Sequence, residues 1–245
     1  MSYFLNFPTV LYKFGNEIDH NVFKNISAYV DIVDQVKENS SFYITYELKE
    51  GERPDQLSQD LYGSTDYYWT FFALNEHLKK YGWPVDPSKL ETFIKKKYPN
   101  TTITTKDYFY DKFTIGERLQ GVTSGVTGTI VDFISDLGQI IVKEEVAFEE
   151  GEDLQTVDRD SDDIRVVTIE NVIPEYLAPH HYETNGIWVD IDPTVDLGSE
   201  IIPITKLDHY TKLNSERRVI KIFREDAVRS IYSAYNKSLK ENPSA

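Results

Sequence analysis

The chain has 245 residues, with 41 acidic and 26 basic side chains for a formal charge of −15, 40% hydrophobic and 13% aromatic content, and no cysteine. A chain of this length buries roughly 70–75% of its unfolded surface without staples. The missing cysteines exclude a disulfide framework, thiolate metal sites and a cysteine nucleophile. The acidic balance repels phosphate backbones and anionic lipid surfaces. No apolar stretch nears the roughly 20 residues that cross a bilayer, so no nucleic acid and no membrane is expected as a partner. The first residues, Met1-Ser2-Tyr3-Phe4-Leu5-Asn6, have neither a basic n-region nor an apolar h-region, and export by that route is not expected.

Residues 3–14 are aromatic and β-branched around Pro8 and read as an extended arm. Its apolar side chains, Phe4, Phe7, Val10 and Tyr12 among them, are expected against a partner surface. Residues 20–40 follow no single period and predict no element. Residues 42–48 alternate as a strand, with Phe42, Ile44, Tyr46 and Leu48 on one face. Beyond Gly51, Pro54 suits a first helical turn, Asp55 sits on its positive end, Leu57 and Leu61 form a stripe, and Gly63 supplies a left-handed cap. Thr65 or Asp66 is expected to cap a second helix running to Asn75, apolar almost all round and so buried on several sides. Trp83-Pro84 ends this unit. A third helix is predicted over 89–97, with Leu90, Phe93 and Ile94 on one face and Lys95, Lys96 and Lys97 at its negative end.

Helix signals vanish over residues 100–170, where Thr, Gly, Val and Ile dominate and the pattern predicts a small all-β module. Within it a Phe-x-x-Gly-Glu-x-Leu-Gln motif occurs at Phe113 and again at Phe148. The glycines between the copies supply the tight bends of a small barrel's corners. Beyond an acidic loop at 158–163, strands are predicted near 186–191 and 218–223. A last helix is predicted over 225–240, with Ala227, Ile231, Tyr235 and Leu239 at i,i+4 spacing and Pro243 beyond it. The predicted organisation is α+β, in segments 1–40, 41–100, 101–170 and 171–245.

No constellation of residues points to catalysis. The acids lie in runs such as Glu144-Glu145 and Asp162-Asp163, the pattern of a solvated face and not of a glycosidase pair against an apolar wall. Asp158, Asp160 and Asp162 have the spacing of a calcium loop, but Asp163 stands where glycine is needed and Ile169 where a bidentate glutamate belongs. His180 and His181 are adjacent, and adjacent side chains on a strand point to opposite faces, so the two cannot hold one metal without a sharp turn, and no His-x-x-x-His pattern occurs. No metal site and no cofactor is therefore expected. Gly121 to Gly125 forms neither a nucleophile elbow nor a phosphate loop. Eleven aromatic residues crowd into 42–83, more than a small unit hides, and surplus Tyr and Trp belong at protein interfaces. Tyr67, Tyr68, Trp69, Phe72 and Trp83 are therefore expected, with the arm, to form a partner interface.

The residues Tyr46 to Gly63, containing Gly51-Glu52-Arg53-Pro54 and Leu61-Tyr62-Gly63, followed by Tyr68-Trp69, Asn75 and Gly82-Trp83-Pro84, resemble the LysM-like segment of baseplate wedge proteins of contractile-tailed bacteriophages. The arm, Phe93 to Tyr98, His180-His181-Tyr182-Glu183 and the stretch from Ile204 into the last helix are similar to the same family. Residues 105–170 depart from it and look like an inserted barrel. The resemblance implies a LysM-like βααβ unit and a non-enzymatic wedge subunit of the virion, assembled in the host cytoplasm into a six-fold hetero-oligomer. Its implied partners are the core bundle of its own wedge, the sheath initiator and the neighbouring wedge. The alternative is a LysM-type peptidoglycan-binding module, since the same βααβ pattern binds glycan.

Overall fold

The computed structural model describes residues 9–13, 21–24, 40–109, 111–144, 146–157 and 165–241. Phe4, Phe7, the acidic loop at 158–163 and Pro243 lie outside them. In chain order, strands β1 (Thr9–Tyr12), β2 (Asn21–Lys24) and β3 (Tyr43–Glu47) precede helices α1 (Pro54–Tyr62), α2 (Trp69–Leu74), α3 (Glu76–Tyr81) and α4 (Pro87–Lys97). There follow β4 (Thr101–Thr104), β5 (Arg118–Gly121), β6 (Thr127–Ile134), β7 (Gln139–Val142), β8 (Asp153–Thr156), β9 (Val166–Thr168) and β10 (Asn171–Pro174). Strands β11 (Pro179–Thr184), β12 (Ile187–Val189) and β13 (Ile202–Thr205) lead into α5 (Lys206–Glu216), β14 (Val219–Phe223) and α6 (Glu225–Glu241). The mixture is α+β. It forms two compact units, one of residues 1–86 with 214–245, the other of residues 87–213.

In the first unit β3 pairs antiparallel with β14, from Tyr43 opposite Phe223 to Glu47 opposite Val219. The strand that completes this sheet thus comes from the far end of the chain. Helix α1 forms as its signals require: Pro54 opens it, Leu57 is buried, and Gly63 closes it in the left-handed region at φ 71°. The expected second helix is broken up. Ser64, one residue earlier than predicted, accepts from Asp66 N at 3.2 Å and caps a single 3₁₀ turn at Thr65–Tyr67. Asn75 then leaves the helix in an extended conformation between α2 and α3. The reason is a competing use of its side chain: the amide donates to Phe71 O at 2.7 Å and to Lys221 O at 2.8 Å, and accepts from Lys221 N at 2.8 Å. Leu48, Leu57, Phe71, Leu78, Ile222 and Val228 centre the core of this unit.

In the second unit seven antiparallel strands run in the order β10-β4-β7-β6-β5-β8-β9. The expected barrel does not close among the described residues. The edge strands β9 and β10 are separated only by Ile169 and Glu170, so the sheet curls until its ends are chain neighbours. Its ladder stops there, and Ile103, Leu119, Ile130, Ile140 and Leu154 fill the concave side. The repeated motif builds β5 and β8, which lie side by side with Gln120 opposite Gln155, the last residue of each copy. Gly116 and Gly151 take positive φ, 91° and 81°. Gly116 N donates to Ile130 O at 2.8 Å and Gly151 N to Ile169 O at 3.0 Å. Phe113 and Phe148 are both buried. The copies are therefore related by a local two-fold between the two glutamines.

A three-stranded sheet, β12-β11-β13, carries α5 at its end. On α4, Leu90 and Ile94 are buried, whereas Phe93, expected on the same face, is 57% exposed. Its position one step round the helix from Ile94 turns it outward.

Candidate functional site

Strands β1 and β2 form an antiparallel ribbon, with Val10 opposite Phe23 and Tyr12 opposite Asn21. Both strands are exposed, and Leu11 at 65% and Val22 at 66% show how much apolar surface they present. The described part of the arm, Thr9–Tyr12, is thus one strand of a ribbon, whose second strand falls in a stretch with no predicted element.

The aromatic cluster is taken up by its own unit to a greater extent than its composition suggests. Trp69 is buried and stacks on Tyr235 of α6 with ring centroids 4.4 Å apart. Tyr67 meets Tyr232 edge-on at 5.2 Å, and Trp83 donates its indole N–H to Glu52 O at 2.7 Å while its ring leans on Phe71 and Phe72. Tyr67, Tyr68, Phe72 and Trp83 are half-buried, so each keeps part of its ring toward the surface. Leu239, predicted on the buried face of the last helix, has no described side chain.

A second cluster was missed by strand periodicity. The pairing of β11 with β13 shifts between Pro179 and His181, from Pro179 opposite Thr205 to His181 opposite Ile204, leaving His180 as the extra residue of a bulge. A bulge re-aims side chains, and the two adjacent histidines converge: His180 Nδ1 lies 3.0 Å from His181 Nδ1. His209, on the first turn of α5, stacks on His180 with centroids 3.9 Å apart and planes 8° apart. The bulge supplies the sharp turn without which adjacent histidines on a strand point to opposite faces. The readable signal is Pro179, since proline inside a sheet belongs at strand starts and bulges.

The cluster is held from two sides. Glu183 Oε1 lies 3.1 Å from His181 Nε2 and accepts from Lys212 Nζ at 3.2 Å. Lys206, one helical turn before His209, forms a buried ion pair with Glu175 Oε1 at 3.1 Å. Glu175 in turn accepts from Asn100 Nδ2 at 2.8 Å. Burial, then the neighbouring His209, His181, Lys206 and Lys97, lowers His180 to about 4. Burial also lowers His181, against the pull of Glu183. Both imidazoles are therefore neutral at neutral pH. The donor atoms of His180, His181 and His209 all lie within 4.8 Å of one another, a spacing suited to one metal ion. His180, His181 and Trp188 open on a cleft of about 1100 Å³ whose wall includes Asp136, Asp190 and Asp192.

Among the described residues no helix is long and apolar enough to cross a membrane. Residues 9–107 match the family model described as Base plate wedge protein 53. Over that stretch the chain is similar to a baseplate wedge protein family of phages, and the match supports such a family. Gly51, Pro54, Gly63, Trp69, Asn75 and Trp83 all lie within the matched stretch, where they shape turns, caps and core. The histidine cluster lies outside it. No curated protein matches the chain.

Proposed function

We propose that this chain is a structural subunit of the baseplate wedge of a contractile phage tail, a non-enzymatic clamp that holds the core bundle of its wedge. The same reading has it contact the sheath initiator and link adjacent wedges around a six-fold ring after assembly in the host cytoplasm. The observation that carries it is the family match over residues 9–107. The exposed ribbon supports it: Val10, Leu11, Tyr12, Val22 and Phe23 leave apolar surface that a second protein would cover. Tyr67, Tyr68, Phe72 and Trp83 belong to the interface in this reading, while Trp69 is buried against Tyr235.

The test is wedge reconstitution with a chain lacking residues 1–14. The truncated chain is expected to fold, because the ribbon has no buried residue, and to fail to enter wedges. Normal incorporation of the truncated chain overturns the proposal. Replacing Leu11 and Val22 by serine separates docking from folding: stability stays within about 0.5 kcal/mol, as for surface substitutions generally, while incorporation falls.

A further inference from the structure

We propose that His180, His181 and His209 bind one divalent transition-metal ion of the zinc class, tying α5 to β11. The spacing of the donors is the first argument. Tetrahedral zinc with Zn–N bonds near 2.0–2.1 Å places its nitrogens about 3.3 Å apart. The His180 and His181 nitrogens already stand 3.0 Å apart, and no donor pair among the three exceeds 4.8 Å. Loading the site then requires His209 to slide and turn out of its stack on His180 by about 1.5 Å or less to reach the tetrahedral separation.

The surroundings of His181 are the second argument. A ligating imidazole characteristically gives its far N–H to a carboxylate, which fixes the tautomer and directs the other lone pair at the metal. Glu183 stands in that place, 3.1 Å from Nε2, and leaves Nδ1 facing His180. The same carboxylate takes Lys212, and Glu175 takes Lys206, so two of the cations near the cluster are compensated locally. Lys97 is engaged with the Tyr210 hydroxyl.

The third argument is access. His180 and His181 line a cleft with Asp136, Asp190 and Asp192 in its wall. A cation is attracted along such a wall, and water in the cleft completes the coordination. Three imidazole nitrogens favour zinc, copper or nickel over the oxygen-seeking magnesium and calcium. The bound ion cross-links a strand and a helix of one unit, which makes its role structural.

The untagged full chain, stripped with chelator, is titrated with Zn²⁺ alone by calorimetry and with Co²⁺ by visible absorption. One ion per chain is expected, with the intense d–d bands of a nitrogen-rich tetrahedral site. A melting temperature raised by about 5–10 °C is expected when Zn²⁺ is a hundred-fold above its Kd. H209F keeps the ring stack without the nitrogens, and H180F does the same from the other side. Each is expected to weaken binding at least about 100-fold, and E183Q about 10–100-fold, while H77Q leaves it unchanged. No saturable Zn²⁺ uptake, uptake untouched by both H180F and H209F, or equal affinity for Mg²⁺ overturns the proposal.

Discussion

Asn75 grips Lys221 by both atoms of its amide, donating to the main-chain oxygen and accepting from the main-chain N–H at 2.8 Å each. The side chain thereby imitates a neighbouring strand and extends the β3–β14 sheet onto the end of α2. One residue both stops the helix and attaches it to a strand 146 positions away. Replacing Asn75 by leucine removes a buried group that satisfies the Lys221 N–H, the Lys221 carbonyl and the Phe71 carbonyl. Three net hydrogen bonds at about 1 kcal/mol each set an expected loss of about 2–4 kcal/mol. Denaturant unfolding of the full chain measures it. Asn75→Asp restores the acceptor for Lys221 N but not the donors, and is expected to remain destabilised by more than half as much.

The two copies of the repeated motif give an internal control for a carboxylate. Glu152 is buried and accepts from Thr123 N, Ser124 N, Ser124 Oγ and Glu149 N at 2.7 to 3.1 Å. Glu117 holds the matching position and accepts from Thr114 N at 2.9 Å and from Thr114 Oγ1 at 3.3 Å, on an exposed turn. Burial pushes the Glu152 carboxyl up, yet the hydrogen bonds from Ser124, Glu149 and Thr123 outweigh it and leave it below the ordinary 4.5. A folded value below the unfolded one means that the unfolded chain takes the proton first. The contribution of Glu152 is then complete above pH 4.5 and is lost as pH falls through the folded value. Glu152→Ala is expected to cost about 3 kcal/mol at neutral pH by stranding four donors, and to flatten the acid limb of the stability curve. Glu117→Ala is expected to cost about 1 kcal/mol. Gly121→Ala belongs with the first of these, since an added Cβ would overlap the Glu152 carboxylate and Ser124 Oγ.

What the sequence makes legible is what is decided locally. Pro54 and Gly63 punctuate α1 whatever surrounds it, and residues 219–223 alternate strongly enough to predict β14. The repeat is visible in the sequence, but not that its two copies build strands that lie against each other. Long-range choices were illegible. Nothing near Tyr43 announces that its partner strand begins at Val219, and the mixed polar run of α5 gave no period to read. The apolar circumference of α2 predicted burial correctly, but not that α6 would cover Trp69. The histidine cluster depends on one extra residue in β11, and a register shift is a property of the pair of strands, not of either sequence.

The buried pair of Glu175 and Lys206 fixes where α5 begins, and with it where His209 stands. Lys206 N donates to Ala178 O at 3.0 Å and its Nζ to Glu175 Oε1 at 3.1 Å, so both ends of the residue are tied to the segment just before β11. Its ammonium also lies 4.8 Å from the centre of the Tyr98 ring. A pair this enclosed contributes little over a well-packed apolar replacement, but removing one partner strands a buried charge. Lys206→Met is therefore expected to cost about 3–5 kcal/mol, with Glu175 left to Asn100 alone. Combining it with Glu175→Leu is expected to recover more than half of that loss, because no charge is then stranded. If the double variant is as unstable as the single one, the packing of the two stems and not the charge is what the site requires. A nuclear magnetic resonance spectrum of the imidazole protons reports the structural consequence. In Lys206→Met the His209 signals lose the upfield ring-current shift that stacking on His180 produces, and in the double variant they regain it.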